Sequence, residues 1–411
     1  MVSLTPIPQA VVPRNSDAAR RVSAPNYDEF QSDREIWQLI KDGQAKVLPI
    51  TMPHVTDERS EMSIEEGSRE ALELARSRMV QLLYSPDIMR VRDMLWVYEI
   101  TNKNNGERQI GVGGYAKTGE IRTDDNPSGV ILRNEEVREE KAIGRRDLIQ
   151  ATGSYIGVVN NAVEDAHGHL QSALEVHVSQ QCNFETDDVT GEHRHRVWLV
   201  QQEAMQQYVD LLVQEPHAYV ADGNHRSAAA CMLGDQYFSA MFFPANSMRI
   251  GPYNRLIKEG ASPQELSSVL QQLQSSFTVE QLACDSYQPT SPHNIGLYAE
   301  NTWYNLEPLS SAYEQGNPVE EIDASIVHNR FCNDVLGIVD PRDPRLTFVG
   351  ANKDSWYLTQ QVKSGEYRYA VTVPPVAMRQ VIDVCKAGQF MPPKTTWFLR
   401  KIISGLVIAE R

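Results

Sequence analysis

The apolar residues of this chain fall into two periods, and the elements follow from them. Residues 68–83 carry Leu72, Ala75, Met79, Val80 and Leu83 at helical spacing, which predicts a helix. Residues 94–100 and 109–115 read as strands, joined by a polar loop with Asn105-Gly106 at its turn. The turn-rich stretch 119–129 leads to a highly charged segment, 134–150, read as partly helical. Strands are predicted at 155–160, 174–179 and 196–200, and a helix at 201–214. Further strands are predicted at 237–243 and 248–258, and a helix at 263–277. Beyond residue 290 the pattern predicts a hairpin over 295–306 around Glu300-Asn301. Helices follow at 322–336, 353–363 and 376–387, strands at 346–349 and 367–373, and a closing hairpin at 397–410. This mixture, without a regular βαβ repeat, predicts a mixed α/β (α+β) fold.

Length sharpens the picture. At 411 residues the chain suggests two or three domains or one elaborated core. A soft boundary is expected at 283–293, rich in Pro, Ser and Thr. The expected parts are a flexible lead-in at 1–21, a main part at 22–282 and a C-terminal α/β part at 290–411. The lead-in is rich in Pro and polar residues and lacks the apolar core of a secretion signal.

Charge and cysteine content exclude several classes. The net charge of −15 disfavours nucleic acid and anionic lipid as partners, while leaving room for a small phosphate ligand held by local arginines. No apolar run approaches the roughly 20 residues of a membrane span. Cys182, Cys231, Cys284, Cys332 and Cys385 are scattered and form no CxxC pair, which fits a reducing cytoplasm. The histidine pairs 167/169 and 193/195 have no cysteine or third ligand nearby, which argues against a transition-metal site. Neither a GxxxxGK[ST] loop nor a GxSxG elbow occurs. The run Gly111-Val112-Gly113-Gly114 lacks the dinucleotide spacing and reads as a bend in a sheet.

The chemistry concentrates at residues 219–230, Tyr-Val-Ala-Asp-Gly-Asn-His-Arg-Ser-Ala-Ala-Ala. An apolar run ends at Asp222, a glycine turn follows, and a helix-forming run begins. Such a turn lets backbone approach a ligand, and a helix start attracts anions. Asp222 could hold a divalent cation and Arg226 could fork onto a phosphate. A plain turn with Asp222 as helix cap is the alternative. In a second patch, Glu135 follows an apolar run as a candidate acid or base. Arg133, Arg145 and Arg146 there could meet phosphate or carboxylate, or form an ion-paired solvated helix. Asn254 and Arg255 lie between apolar residues, where an arginine calls for a structural carboxylate or an anionic ligand. Lys394 follows Pro392-Pro393, fitting either substrate contact or a rigid turn.

Taken in order, these motifs resemble a family labelled a domain of unknown function, number ten-fifteen. Residues 222–226 are similar to its A-D-G-H-H-R signature, with Asn224 in place of the first His. Ala24-Pro25-Asn26-Tyr27-Asp28 resembles A-P-P-Y-D, and Arg133-Asn134-Glu135 stands where the family has R-H-E. Arg145 and Ala151-Thr152-Gly153 match its D-R and A-T-G, with Gly144 before the arginine. Asn254-Arg255 matches N-R, and residues 391–398 are similar to M-P-P-K-S-T-W-F. The family is related to free-serine kinases of the ParB/sulfiredoxin fold. The resemblance implies a ParB/sulfiredoxin-like nucleotide-binding core and an ATP- or ADP-using, Mg²⁺-dependent kinase of a small hydroxyl compound such as free serine or threonine. It implies that Gly223, Asn224, His225, Arg226 and Ser227 cradle phosphates and that Asp222 sits by Mg²⁺ or the acceptor hydroxyl. His225 joins Asp222 in the catalytic set, Glu135 is the general base, and Arg133, Arg145, Asn254, Arg255 and Lys394 bind substrate. A non-catalytic nucleotide-binding module is the rival reading, and a purely structural interaction protein a third.

Overall fold

The computed structural model describes residues 1–26, 29–30, 32–56, 64–260 and 263–411, so Tyr27 and Asp28 of the first motif lie outside the described residues. The fold is mixed α/β, and the chain divides into two compact units. The first comprises Met1–Arg133, Val137–Met248 and Arg400–Arg411, the second Asn134–Glu136 and Arg249–Leu399. These cuts differ from the boundary expected at 283–293, since 249–282 lie in the second unit and 400–411 in the first.

In the first unit, residues 1–21 are not a loose lead-in. They hold β1 (Ile7–Pro13) and α1 (Ser16–Val22), and Ile7, Val11 and Val12 are buried. Asn15 caps α1 by accepting the Ala18 N–H, which fixes the corner between the two elements. Helices α2 (Asp33–Lys41), α3 (Leu48–Thr51) and α4 (Arg69–Leu83) follow. Helix α4 is capped by Ser68, which accepts the Ala71 N–H, and covers the segment the spacing predicted. Its buried face runs through Ala71, Ala75, Met79 and Leu82, leaving Val80 exposed. Strand β2 (Ile88–Met94) pairs with β1.

The main sheet of this unit contains β3 (Trp96–Asn102), β4 (Arg108–Lys117), β5 (Ile131–Leu132), β7 (Val159–Val163), β8 (Phe184–Asp187), β9 (His193–Leu199), β10 (Ala218–Asp222) and β11 (Tyr237–Pro244). Its order is β5-β10-β7-β11-β4-β3-β9-β8. The β3–β4 hairpin turns through Asn105-Gly106 as expected. The run at 111–114 makes no bend, because it lies inside β4, where Trp96 and Phe243 occupy the space side chains would fill. Helices α5 (Glu139–Thr152), α6 (His169–Val178), α7 (Gln202–Val213) and α8 (Asn224–Leu233) connect the strands. Residues 174–179, expected as a strand, belong to α6. Leu170, Leu174 and Val178 bury one helical face, and the Asp165 carboxylate accepts the Leu170 and Gln171 N–H groups at its start. The short β6 (Ser154–Tyr155) pairs with the last strand, Ile408–Glu410, which also pairs with β1.

The second unit is built on a six-stranded antiparallel sheet. It contains β13 (Asn254–Ile257), β14 (Phe277–Leu282), β15 (Ile295–Ala299), β16 (Thr302–Pro308), β17 (Leu346–Val349) and β18 (Tyr369–Thr372) in the order β14-β16-β15-β18-β13-β17. Alternation along β13 sends Ile257 and Leu256 to opposite faces, each with its own core cluster. Helices α9 (Leu266–Leu273), α10 (Asp323–Ile326), α11 (Ser355–Lys363) and α12 (Met378–Lys386) complete it, and α10 widens into a π-helical stretch over Val327–Asn333. The predicted strand 248–258 is two pieces, β12 (Ile250–Gly251) and β13, broken at Pro252. The expected closing hairpin does not form. Strand β19 (Trp397–Phe398) pairs with β12, whereas the last strand joins the first unit's small sheet. Among the described residues, no helix is long and apolar enough to cross a membrane.

Candidate functional site

Strand β10 is buried up to its last residue and delivers Asp222 to its exposed end. Gly223 makes the turn into α8 at φ +103, a conformation side chains resist. A Cβ there would also lie 3.3 Å from the Val159 backbone and 3.1 Å from Arg226 Nε. Asp222 is not the cap of α8, since Gly223 holds that position. The Asp222 Oδ2 accepts from Arg226 Nη2 at 2.6 Å, and the two side chains are 26% and 17% exposed. Burial pulls the Asp222 carboxyl up, but Arg226 and Lys401 together outweigh it and hold it below the usual carboxylate range. The turn thus presents an ionised carboxylate and a guanidinium with donors to spare.

The other residues of the motif are held by contacts within the first unit. His225 is half-buried, and its Nε2 accepts the Arg138 N–H at 3.3 Å, at the start of α5. Ser227 is fully buried, and its hydroxyl donates to the Asn224 carbonyl at 2.8 Å, so its side chain is turned into α8. Asn224 is buried in the first turn. Arg133 follows β5, close enough to lower the Cys231 thiol on α8 against the stronger upward pull of burial.

Beside this turn is a cavity of about 60 Å³, lined among others by Asn26, Arg145, Thr152, Gly157, Arg226 and Ser404. Its walls come from far-apart stretches. The Ala24 and Ser404 backbones exchange hydrogen bonds, N–H to C=O, at 3.0 and 2.8 Å. Asn26 Nδ2 donates to the Ile402 carbonyl at 2.7 Å, and Ser404 Oγ donates to Asn26 Oδ1 at 3.1 Å. The first unit therefore gathers residues 24–26, Arg145, Thr152 and Arg226 around one space.

The remaining candidates lie in the second unit. Asn134 accepts the Met391 N–H at 2.9 Å through its carbonyl, and Glu135 bridges to Met391. Asn254 is fully buried, with its amide donating to Gln288 at 2.9 Å and accepting from the Val373 N–H at 3.1 Å. Arg255 is 4% exposed, donates to the Tyr253 carbonyl and lies 5.5 Å over the Phe348 ring. Burial pulls its guanidinium down to about 10. No carboxylate of the described residues forms an ion pair with it. Asp323 is near enough to act through space, and burial, outweighing His293 and Arg255, raises its carboxyl to about 6. Lys394 adopts φ +58, with Nζ 5.4 Å over the Tyr253 ring, and Tyr253 meets Trp397 edge-on at 5.4 Å. The motifs at 134–135, 253–255 and 391–397 are thus joined within this unit.

Sequence reasoning missed Lys401, Thr51, Gly157 and Ser404 in the first unit and Asp323 in the second. An acid between apolar Ile322 and Ala324 was a signal for Asp323.

The family model described as "Protein of unknown function (DUF1015)" matches residues 5–325, and the chain belongs to that family. Among solved structures, the chain is similar to a free serine kinase in complex with AMP, 12% identical, at a TM-score of 0.37, covering 72% of this chain and 92% of that one. It is similar to SbnI with a C-terminal truncation from Staphylococcus aureus, 11% identical, at a TM-score of 0.38, covering 72% and 87%. A conserved hypothetical protein from Pyrococcus furiosus is 11% identical, at a TM-score of 0.37, covering 72% and 95%. No curated protein matches the chain.

Proposed function

We propose that the protein is a Mg²⁺-dependent kinase, with a ParB/sulfiredoxin-like core, that phosphorylates the hydroxyl of a small metabolite such as free serine or threonine. The observation that carries this reading is the Asp222–Arg226 pair at the Gly223 turn, an ionised carboxylate and a guanidinium beside a cavity. Phosphoryl transfer needs mainly positioning and charge neutralisation, and this pair supplies both signs of charge at one place. The backbone of Gly223, Asn224 and His225 and the spare donors of Arg226 hold the phosphates of ATP or ADP. Glu135 is assigned the general base by its motif, and Lys394 and Arg133 substrate contact.

Asp222 fits a metal of a particular kind. Among the described residues no group of three or more metal-ligating side chains occurs, and Arg226 and Lys401 already flank this carboxylate. A Mg²⁺ ion typically takes one or two carboxylates plus substrate phosphates. Asp222 therefore suits an ion that arrives with the nucleotide, where it would neutralise charge developing on the transferred phosphoryl group.

The test is a ³¹P NMR screen of the protein with Mg²⁺, ATP or ADP and a panel of hydroxy amino acids. A new phosphomonoester signal, lost in Asp222→Ala and Glu135→Gln, is expected. Intact nucleotide that nonetheless raises the melting temperature would replace the kinase with a nucleotide-binding module.

A further inference from the structure

The cavity beside Arg226 has a chemistry that narrows its occupant. Its walls leave room for a small ligand beside the Arg226 guanidinium. Most of its polar side chains have already committed their hydrogens. Thr51 donates to the Leu48 carbonyl at 3.2 Å and Thr152 to the Leu148 carbonyl at 2.8 Å. Ser154 donates to the Thr152 carbonyl at 3.4 Å, and Ser404 and Asn26 are bonded as described above. These hydroxyl oxygens therefore offer lone pairs.

Arg226 is the opposite case. A guanidinium has five N–H donors, and the hydrogen bond to Asp222 engages one of them. Arg226 lines both this cavity and the smaller void next to it, bounded by Trp96, Ile402 and Ile403. Gly157 keeps the guanidinium in place, since a Cβ there would sit 3.0 Å from Arg226 Nη1. Arg145 adds a second positive charge to the lining.

We infer that this cavity is the acceptor subsite and that it takes a small hydroxy acid. The carboxylate of the ligand faces Arg226 and Arg145. Its own donors, a hydroxyl and, in an amino acid, an ammonium, face the hydroxyl oxygens of Thr51, Thr152, Ser154 and Ser404. This inference rests on the kinase reading for the word acceptor, but the binding chemistry stands on the cavity alone. It also separates the two ligands, with nucleotide phosphates at the Gly223 turn and the hydroxy acid behind Arg226.

The experiment is calorimetric titration of the full chain with glycerate, serine and glycerol, each with and without Mg²⁺-ADP. Glycerate or serine is expected to bind and glycerol, of the same size but uncharged, is not. Gly157→Ala is expected to weaken the acid about tenfold by crowding the guanidinium, with the circular-dichroism spectrum and melting temperature retained as proof of folding. Arg145→Gln is expected to weaken it as well. Glycerol binding as tightly as the acids would overturn the inference, and so would Gly157→Ala and Arg145→Gln binding them unchanged. Direct competition between acid and ADP would assign the cavity to the nucleotide and overturn it too. Binding of the acid without any phosphoryl transfer would uphold the subsite while ending the kinase reading.

Discussion

Two aspartates, each near an arginine, are driven in opposite directions. In the first unit, burial opposes ionisation of Asp222, but Arg226 in contact at 2.6 Å, with Lys401, wins and holds the carboxyl below its usual range. In the second unit, Asp323 is 6% exposed and has no ion pair with Arg255 among the described residues, so burial wins and lifts its carboxyl to about 6. Contact geometry, not the mere presence of an arginine, decides whether a buried carboxylate stays charged. The arginines differ in parallel. Arg226 keeps donors facing a cavity, whereas Arg255 is enclosed by the Tyr253 carbonyl and the Phe348 face. The first arrangement leaves guanidinium donors beside a cavity, and the second is part of how its unit packs.

The largest contrast is expected in activity. Asp222→Ala should lower phosphoryl transfer by about 100-fold or more, since it removes a charge from the reacting region. Asp323→Asn should leave the rate within about twofold, because it touches no proposed ligand. Both are read from the same ³¹P time course, and a large loss in Asp323→Asn would dissolve the distinction between the two regions.

Stability against pH separates the aspartates next. The folded-state carboxyl of Asp323 lies above its ordinary 3.8, so its contribution is most favourable below about pH 4 and is lost as the pH rises through about 6. Asp323→Asn should remove this loss, on the order of 2 to 3 kcal/mol, from urea unfolding compared at pH 4 and pH 7. Asp222 has the opposite sign. Its depressed value gives stability that is present above the ordinary carboxylate range and lost as the pH falls through the folded value.

A packing role in the second unit predicts a third outcome. Asn254→Ala leaves the Val373 N–H without its acceptor and should cost about 1 to 3 kcal/mol in denaturant melts. Acceptor affinity, measured by calorimetry, should not change.

The smallest effect concerns the arginines. Arg226→Met should move the Asp222 carboxyl upward in a ¹³C NMR titration, because only Lys401 and the Gly223 backbone then oppose burial. Arg255→Met should move Asp323 by less, since Arg255 is a minor influence there. Equal shifts would show that contact is not what distinguishes the pairs.

The sequence made some of this legible. The apolar period over residues 68–83 marked α4, and Asn105-Gly106 between two apolar runs marked the β3–β4 hairpin, because each signal is local. Helix α6 was misread since its cues, Asp165 and Gly168, precede the segment judged by its apolar run. The Asp222–Arg226 turn was legible because strand end, glycine and helix start are contiguous. The cavity was not. Asn26, Thr51, Gly157 and Ser404 are small, separated residues, and only the pairing of Ala24 with Ser404 and the fold of α5 bring them together. Tail residues 400–411 looked like half of a hairpin, yet they supply Lys401 and Ser404 to the first unit, a non-local pairing that periodicity does not encode.

The most direct test is calorimetric titration of Mg²⁺-ADP into the wild-type protein and Arg226→Met. Phosphates held at the Gly223 turn by the Arg226 guanidinium should give clear binding in the wild type and an affinity at least about tenfold weaker in the variant. Equal affinities in the two proteins, or no nucleotide binding to the wild type, would contradict the assignment of this turn as the phosphate cradle.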